Sequence, residues 1–192
     1  MTVRQLLASH GLRVFDVERL PTHGGSLRIY ACLDEAGYEA DDRVAELADE
    51  EERYGIGSLP RYTAFQSAVI QTKHDILDYL ITAKRHGKRI AAYGAPGKGN
   101  TLLNYCGIRT DFFDYAVDRN PVKQGTFTPG TRIPIYPPDR LRETKPDLVV
   151  IMPWNLKDEI AEQHRYIEEW GGRFVILLPE VRILREGSWC RP

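Results

Sequence analysis

Residues 90–104 read Ile-Ala-Ala-Tyr-Gly-Ala-Pro-Gly-Lys-Gly-Asn-Thr-Leu-Leu-Asn, which predicts a short buried strand, a glycine-rich turn and the start of a helix. Gly94, Gly97 and Gly99 let the backbone turn sharply and lie close to a ligand, because no Cβ obstructs it. The N–H groups at the helix start, with Lys98 beside them, favour an anion such as a phosphate. The spacing fits neither G-x-G-x-x-G nor a P-loop, so the stretch is either a phosphate or nucleotide contact or a structural strand-to-helix turn.

The residues after this stretch continue to alternate between strand and helix patterns. The predicted strands are short and mostly apolar, and they cover 88–93, 112–117, 147–152 and 174–178. Such strands are typical of a parallel sheet that is covered on both faces. The sequence therefore predicts an α/β fold, with a Rossmann-like parallel sheet and flanking helices over 88–182 and a tail over 183–192.

The residues before it predict smaller elements. Residues 1–33 predict a helix and a β-hairpin, and a lone two-stranded hairpin is barely stable in water, which indicates an incomplete unit. Residues 34–87 are predicted as a helical connector that ends in a long helix. One apolar stripe follows this helix, formed by Tyr62, Phe65, Val69, Thr72, Ile76, Tyr79 and Ala83. The stripe indicates a helix packed on a sheet or on another helix, or the seam of a coiled-coil dimer.

The composition excludes several classes of protein. The net charge of −1 implies no general attraction to nucleic acid or to an anionic membrane, so a phosphate site must be local. The three cysteines are far apart and form no C-x-x-C pair, which indicates neither a disulfide framework nor a zinc site. No apolar run approaches the roughly 20 residues of a membrane span, and the start lacks a signal-peptide core. We expect a cytoplasmic protein.

The candidate binding residues follow the predicted parallel strands, because ligands bind beyond the carboxyl ends of such strands. Asp118 stands where a dinucleotide fold places a ribose-binding acid, although it can also shape a turn before Pro121, and Trp154 can simply cap the core. The cationic and amide groups suit a diphosphate with an attached base or sugar. The candidates are Gly94, Ala95, Gly97, Lys98, Gly99, Asn100, Asp118, Arg119, Asn120, Lys123, Trp154 and Asn155.

The histidines are weaker candidates. His23, in the hairpin turn, is either a general acid or base, a contact to a substrate phosphate, or a surface group. His74, His86 and His164 lie on predicted helices without an acid or cysteine at metal-ligand spacing, so we expect solvated faces and no metal site.

Four separated motifs give the chain a resemblance to a known family. They are Leu20-Pro21-Thr22-His23-Gly24-Gly25-Ser26-Leu27-Arg28, the stretch Tyr93 to Asn104, Val117-Asp118-Arg119-Asn120-Pro121 and Pro153-Trp154-Asn155-Leu156. In this order they resemble the C-terminal domain of S-adenosylmethionine-dependent C-methyltransferases, a family that includes enzymes acting on dTDP-keto-sugars. The resemblance covers nearly the whole chain.

The resemblance implies more than these residues contain. Members of the family carry an N-terminal zinc module, a central domain that binds the methyl donor, and a Rossmann-like C-terminal domain that closes over the nucleotide-sugar. It implies that residues 1–33 resemble the end of the central domain, and that the glycine loop, Asp118-Arg119-Asn120 and His23 lie on the substrate side. We expect no zinc, and no binding of S-adenosylmethionine by this chain alone.

The leading hypothesis is therefore a nucleotide-sugar-binding C-terminal portion of a sugar C-methyltransferase that is inactive alone. Its partners would be the nucleotide-sugar and a separate methyltransferase domain or subunit, with no nucleic acid or membrane. One alternative is a stand-alone NAD or nucleotide-binding module. The other is a non-catalytic partner of a separate methyltransferase subunit.

Overall fold

The computed structural model describes residues 2–192 and divides the chain into two units, one up to Ser67 and one from Ala68 to Pro192. The division falls within the long helix, instead of at the predicted boundaries near residues 33 and 87. The reason is that the second half of this helix buries Ile76, Leu80 and Ala83 in the core of the second unit.

The first unit contains an antiparallel hairpin with helices against it. Its strands pair from Leu12 with Leu33 to Leu20 with Ser26, and a bulge lies between Val14 and Asp16. Asp41 caps the following helix by accepting a hydrogen bond from the Arg43 N–H at 3.0 Å. The elements are α1 (Thr2–Ala8), β1 (Leu12–Leu20), β2 (Ser26–Leu33), α2 (Asp42–Tyr54) and the start of α3 (Leu59–Arg85).

The second unit is a seven-stranded, mostly parallel sheet, which confirms the predicted α/β class. The elements are β3 (Ile90–Tyr93), α4 (Gly97–Cys106), β4 (Tyr115–Val117), β5 (Ile135–Tyr136), α5 (Arg140–Thr144), β6 (Leu148–Ile151), α6 (Lys157–Gln163), β7 (Arg173–Ile176), β8 (Arg182–Arg185) and β9 (Ser188–Cys190). The strand order is β5-β4-β3-β6-β7-β8-β9; the first five strands are parallel, β8 pairs antiparallel with β7, and β9 pairs antiparallel with β8.

Two hydrophobic cores cover the two faces of this sheet. On one face, α3 and α4 pack with alternate strand residues such as Ala92 and Val150. On the other face, Leu141 of α5 and Ile160 of α6 pack on residues such as Ile151. All four residues of β3 and of β6 are buried, as expected for central strands of a covered parallel sheet.

The prediction of a tail over 183–192 is wrong. Arg182–Arg185 pairs antiparallel with β7, and Ser188–Cys190 pairs in turn with that strand. Ile183 is buried, and the Arg182 guanidinium donates hydrogen bonds to the Glu180 carboxylate and, at 3.3 Å, to the Trp189 carbonyl. These contacts extend the sheet where the polar sequence indicates only a loose end.

The long helix also departs from its predicted stripe. Its second half is buried at Ile76, Leu80 and Ala83, whereas Tyr62 and Phe65 are 55% and 60% exposed. The apolar stripe therefore packs on the sheet over its second half only. Within residues 2–192, no helix is both long enough and apolar enough to span a bilayer.

Candidate functional site

Three loops meet at the carboxyl ends of the central strands. From β3 the chain continues to β4 and β5 on one side and then crosses to β6 on the other side. Ligands of open parallel sheets bind in the crevice beside such a switch point. The loops there are the glycine loop (residues 94–99), the β4 loop (residues 118–123) and the β6 loop (residues 153–155).

Gly94 joins the three loops in a conformation that requires glycine. Its φ is +84°, and a Cβ on this residue would lie 2.8 Å from Cδ of Pro153. Its N–H donates a hydrogen bond of 2.7 Å to the carbonyl of Val117. Gly94 therefore allows the ends of β3, β4 and β6 to lie in close contact.

The first turn of α4 combines a packed side and an open side. A Cβ on Gly99 would lie 3.1 and 3.2 Å from two carbons of Met152, so this glycine allows close packing of α4 on β6. Gly97 and Lys98 are exposed, and no atom lies within 4 Å of a Cβ built on Gly97. Pro96 precedes them and supplies no side-chain cap. A helix N-terminus with an exposed first turn of this kind favours an anion.

Asn100 places a buried acceptor next to this turn. Its Oδ1 atom is inaccessible to solvent and has no hydrogen-bond partner among residues 2–192. The side chain of Asn104 is occupied elsewhere, because its Nδ2 donates to the carbonyls of Asn100 at 2.8 Å and Pro129 at 2.9 Å. A buried acceptor without a donor is costly, so Asn100 Oδ1, unpaired within residues 2–192, is a cost to the free chain.

The β4 loop is built around the Asp118 carboxylate. Its Oδ2 accepts hydrogen bonds from the Ala95 N–H at 2.9 Å and Lys123 Nζ at 3.0 Å, and its Oδ1 accepts from the Asn120 N–H at 2.9 Å. Burial alone would raise the pKa of Asp118, but these three donors outweigh burial and hold the pKa below its ordinary value. Asp118 is therefore ionised at neutral pH.

The structure brings most of the predicted binding residues together, although with different degrees of access. Arg119 is exposed and donates to Gln163 Oε1 at 3.2 Å, while Asn120 Oδ1 accepts from the Val122 N–H at 3.0 Å. Trp154 packs partly buried against the core, and Asn155 is exposed in the same short 3₁₀ turn. The predicted set thus includes exposed and buried side chains, and several of the exposed ones are also hydrogen-bonded within the protein.

His23 lies in the first unit, whereas the other predicted site residues belong to the second unit. It occupies the 3₁₀ turn Thr22–Gly24 between β1 and β2, where it is exposed and has a φ of +56°. This left-handed conformation is uncommon for a residue with a side chain. Its role in catalysis stays a prediction.

His164 forms a polar network that the sequence did not reveal. Instead of lying on a solvated helix face, it is half-buried at the end of α6, with Nε2 2.8 Å from the Tyr93 hydroxyl and Nδ1 3.1 Å from the Tyr166 hydroxyl. The guanidinium of Arg142 lies 3.5 Å from the centre of the Tyr166 ring. This network connects the last residue of β3, directly before Gly94, to the end of α6.

Burial lowers the pKa of His164, and the nearby Arg119 and Arg142 cations lower it further. Because the unfolded histidine has a pKa of about 6.5, the unfolded chain binds this proton more readily than the folded chain. The stability that His164 contributes is therefore complete above about pH 6.5 and is lost as the pH falls through the lower folded pKa.

Replacing His164 by glutamine should weaken this acid dependence, because a neutral amide cannot take the proton. Urea unfolding between about pH 7.5 and pH 5 should show a smaller loss of unfolding free energy for His164→Gln than for the unmodified chain. His74→Gln, at an exposed helix position, serves as the control and should follow the unmodified chain. If the unfolding free energy had the same pH dependence in all three proteins, the acid dependence could not be assigned to His164.

The described part of the chain contains no group of three or more His, Cys, Asp or Glu side chains placed to hold a metal ion.

Comparison with known proteins identifies the class of this chain. Residues 21–179 match the family described as the C-methyltransferase C-terminal domain. The chain is also 36% identical over 183 residues to C-methyltransferase NovU of Streptomyces niveus, which covers 95% of this chain and 44% of the relative. The chain therefore belongs to the C-methyltransferase family, contains its C-terminal domain, and spans less than half the length of this relative.

A solved structure shows a weaker likeness. The crystal structure of UDP-D-quinovosamine 4-dehydrogenase from Vibrio fischeri matches with a TM-score of 0.38 and 17% sequence identity. The match covers 52% of this chain and 94% of that chain.

Proposed function

We propose that this chain is the acceptor-binding portion of an S-adenosylmethionine-dependent C-methyltransferase, and that it holds a nucleotide-sugar through its diphosphate. The observation that carries the proposal is the first turn of α4, where exposed Gly97 and Lys98 lie at the switch point of a family C-terminal domain. Methyl transfer would require a donor-binding part in addition to this chain.

The geometry suits a diphosphate better than a neutral ligand. The N-terminus of α4 carries a partial positive charge, and its N–H groups point along the helix axis into the crevice. Lys98 adds a full charge, and Arg119 contributes a second cation from the β4 loop.

We place the methyl donor outside this chain. Residues 2–67 fold as helices and an antiparallel hairpin, so that unit offers no strand–glycine loop–helix of its own for an adenosine group. When present, S-adenosylmethionine supplies the methyl group, which a carbon α to the sugar ketone accepts after losing a proton. The residues of this chain would bind and orient the sugar, which lowers the barrier by positioning.

Calorimetric titration tests the proposal. The chain should bind thymidine diphosphate with a measurable heat, and S-adenosylmethionine should give none. Binding of the donor without binding of the nucleotide would reverse the assignment.

Lys98→Met should weaken thymidine diphosphate binding by about tenfold, because it removes a charge-assisted contact to a phosphate. Lys88→Met is the matched control, since Lys88 precedes β3 at the opposite end of the strand and pairs with Asp147 at 3.4 Å. Titration of both variants should show a loss for Lys98→Met only. Equal affinity in the two variants would remove Lys98 from the site.

A docking role for the first unit is the second candidate function. The hairpin pairs only its own two strands in the described chain, and Leu27, Ile29 and Leu33 are 44%, 37% and 59% exposed. Apolar strand residues of this kind favour contact with another protein surface. We propose that a methyltransferase domain or subunit covers them. If the chain were a monodisperse monomer that binds neither a methyltransferase subunit nor nucleotides, this role would be contradicted.

A further inference from the structure

The Asp118 carboxylate is engaged by the protein, at a position where a dinucleotide fold uses an acid to contact a ribose. Three donors of the chain point to its two oxygens, and only 13% of the side chain is exposed. A ribose contact would have to compete with these hydrogen bonds. The local geometry is therefore that of a structural acceptor.

Lys123 contacts both Asp118 and Ala95. Its Nζ donates to Asp118 Oδ2 and also, at 3.1 Å, to the carbonyl oxygen of Ala95. Both main-chain polar groups of Ala95 are thus held by the β4 loop, the N–H by Asp118 and the carbonyl by Lys123. We call these two side chains the Asp118–Lys123 clamp.

The clamp acts on Ala95, the residue between Gly94 and Pro96 in the glycine loop. Ala95 lies between Gly94, which has a left-handed backbone conformation, and Pro96, which precedes α4. Glycine is the residue type with the greatest backbone freedom. A loop that is ordered before binding spares the ligand the entropy cost of ordering it. Fixing Ala95 therefore fixes the direction in which the first N–H groups of α4 face the crevice.

We propose that Asp118 and Lys123 are positioning residues, which hold the glycine loop ready for a nucleoside diphosphate, and that Asp118 is not a ribose contact. This inference rests on the proposed function for the identity of the ligand. The hold on Ala95 is a property of the free chain. The engagement of Asp118 by the protein also disfavours the alternative of an NAD-binding module, because such a module needs an acidic residue that is available to the ribose.

Amide hydrogen exchange on the full chain, without ligand, tests the clamp itself. The Ala95 N–H should exchange slowly in the unmodified chain and at least about tenfold faster in Asp118→Ala and in Lys123→Met, because each variant opens one side of the clamp. Asp114→Asn is the matched control, since Asp114 stands at the other end of β4 and pairs with Lys84 at 3.3 Å. Unchanged Ala95 exchange in either clamp variant would overturn the proposal.

Titration with thymidine diphosphate tests the positioning role. Each clamp variant should bind about tenfold more weakly, and the double variant should bind no more weakly than either single one, because the two residues act as one unit. Lys123→Arg should restore most of the affinity, since it keeps a cation and its donors. Additive losses would instead indicate two separate ligand contacts and would overturn the proposal.

The two experiments separate this inference from the proposed function. If the unmodified chain bound no nucleotide while Ala95 exchange responded as expected, the proposed function would fail and the clamp would stand as a structural device. If the nucleotide bound equally well to all variants, the positioning role would fail and the proposed function would stand.

Discussion

Gly94→Ala is expected to lower the free energy of unfolding by about 2–4 kcal/mol, since it adds left-handed backbone strain to an overpacked contact. The new methyl group would lie 2.8 Å from Cδ of Pro153, in a proline ring that cannot rotate away. The displaced loop should also lose thymidine diphosphate binding. Urea unfolding followed by circular dichroism measures the first effect, and calorimetry measures the second.

Gly97→Ala is the control for this variant. A Cβ there meets no atom within 4 Å, and the residue begins α4, so alanine should leave stability unchanged or raise it by about 0.5 kcal/mol. The same methyl group would stand where we place the diphosphate, so nucleotide affinity should still fall. Equal stability of Gly94→Ala and Gly97→Ala would contradict the contact between the glycine loop and the β6 loop.

Leu80→Ala is expected to lower the free energy of unfolding by about 2–5 kcal/mol, because Leu80 is fully buried between α3 and the sheet. Phe65→Ala, on the same helix, should change it by less than about 0.5 kcal/mol, since Phe65 is 60% exposed. Denaturant unfolding of the two variants measures the difference. A larger cost for Phe65→Ala would mean that the first half of the helix is the packed half.

The sheet could be predicted because its central strands carry a strong local signal. Ile90–Tyr93 and Leu148–Ile151 are short and, apart from the Tyr93 hydroxyl, apolar, and burial of every residue in a covered parallel sheet demands such runs. Arg182–Arg185 and Ser188–Cys190 carry no such signal. They lie at the antiparallel side of the sheet, expose part of each strand, and are defined by pairing with distant residues.

The long helix shows where periodicity stops being informative. Tyr62, Phe65, Ile76 and Ala83 share one stripe at helical spacing, yet only the last two are buried. The pattern predicts a helix with an apolar face. The tertiary structure decides how much of that face packs against the sheet.

The site was predictable as a set of loops, and its internal contacts were not. The ends of parallel strands converge at one edge, which places the glycine loop, the β4 loop and the β6 loop together. The hydrogen bond from Ala95 to Asp118 spans 23 positions, and the one between Tyr93 and His164 spans 71. No local spacing encodes partners at such separations, so the contacts of Asp118 and His164 required the structure.

A crystal structure of the full chain with thymidine diphosphate tests the central claim most directly. We predict that the diphosphate lies against the backbone of Gly97 and Lys98 at the start of α4, with Asp118 still bonded to Ala95. Density for the nucleotide on the hairpin of the first unit, or a crevice closed to it at concentrations that saturate the chain in solution, would contradict the account.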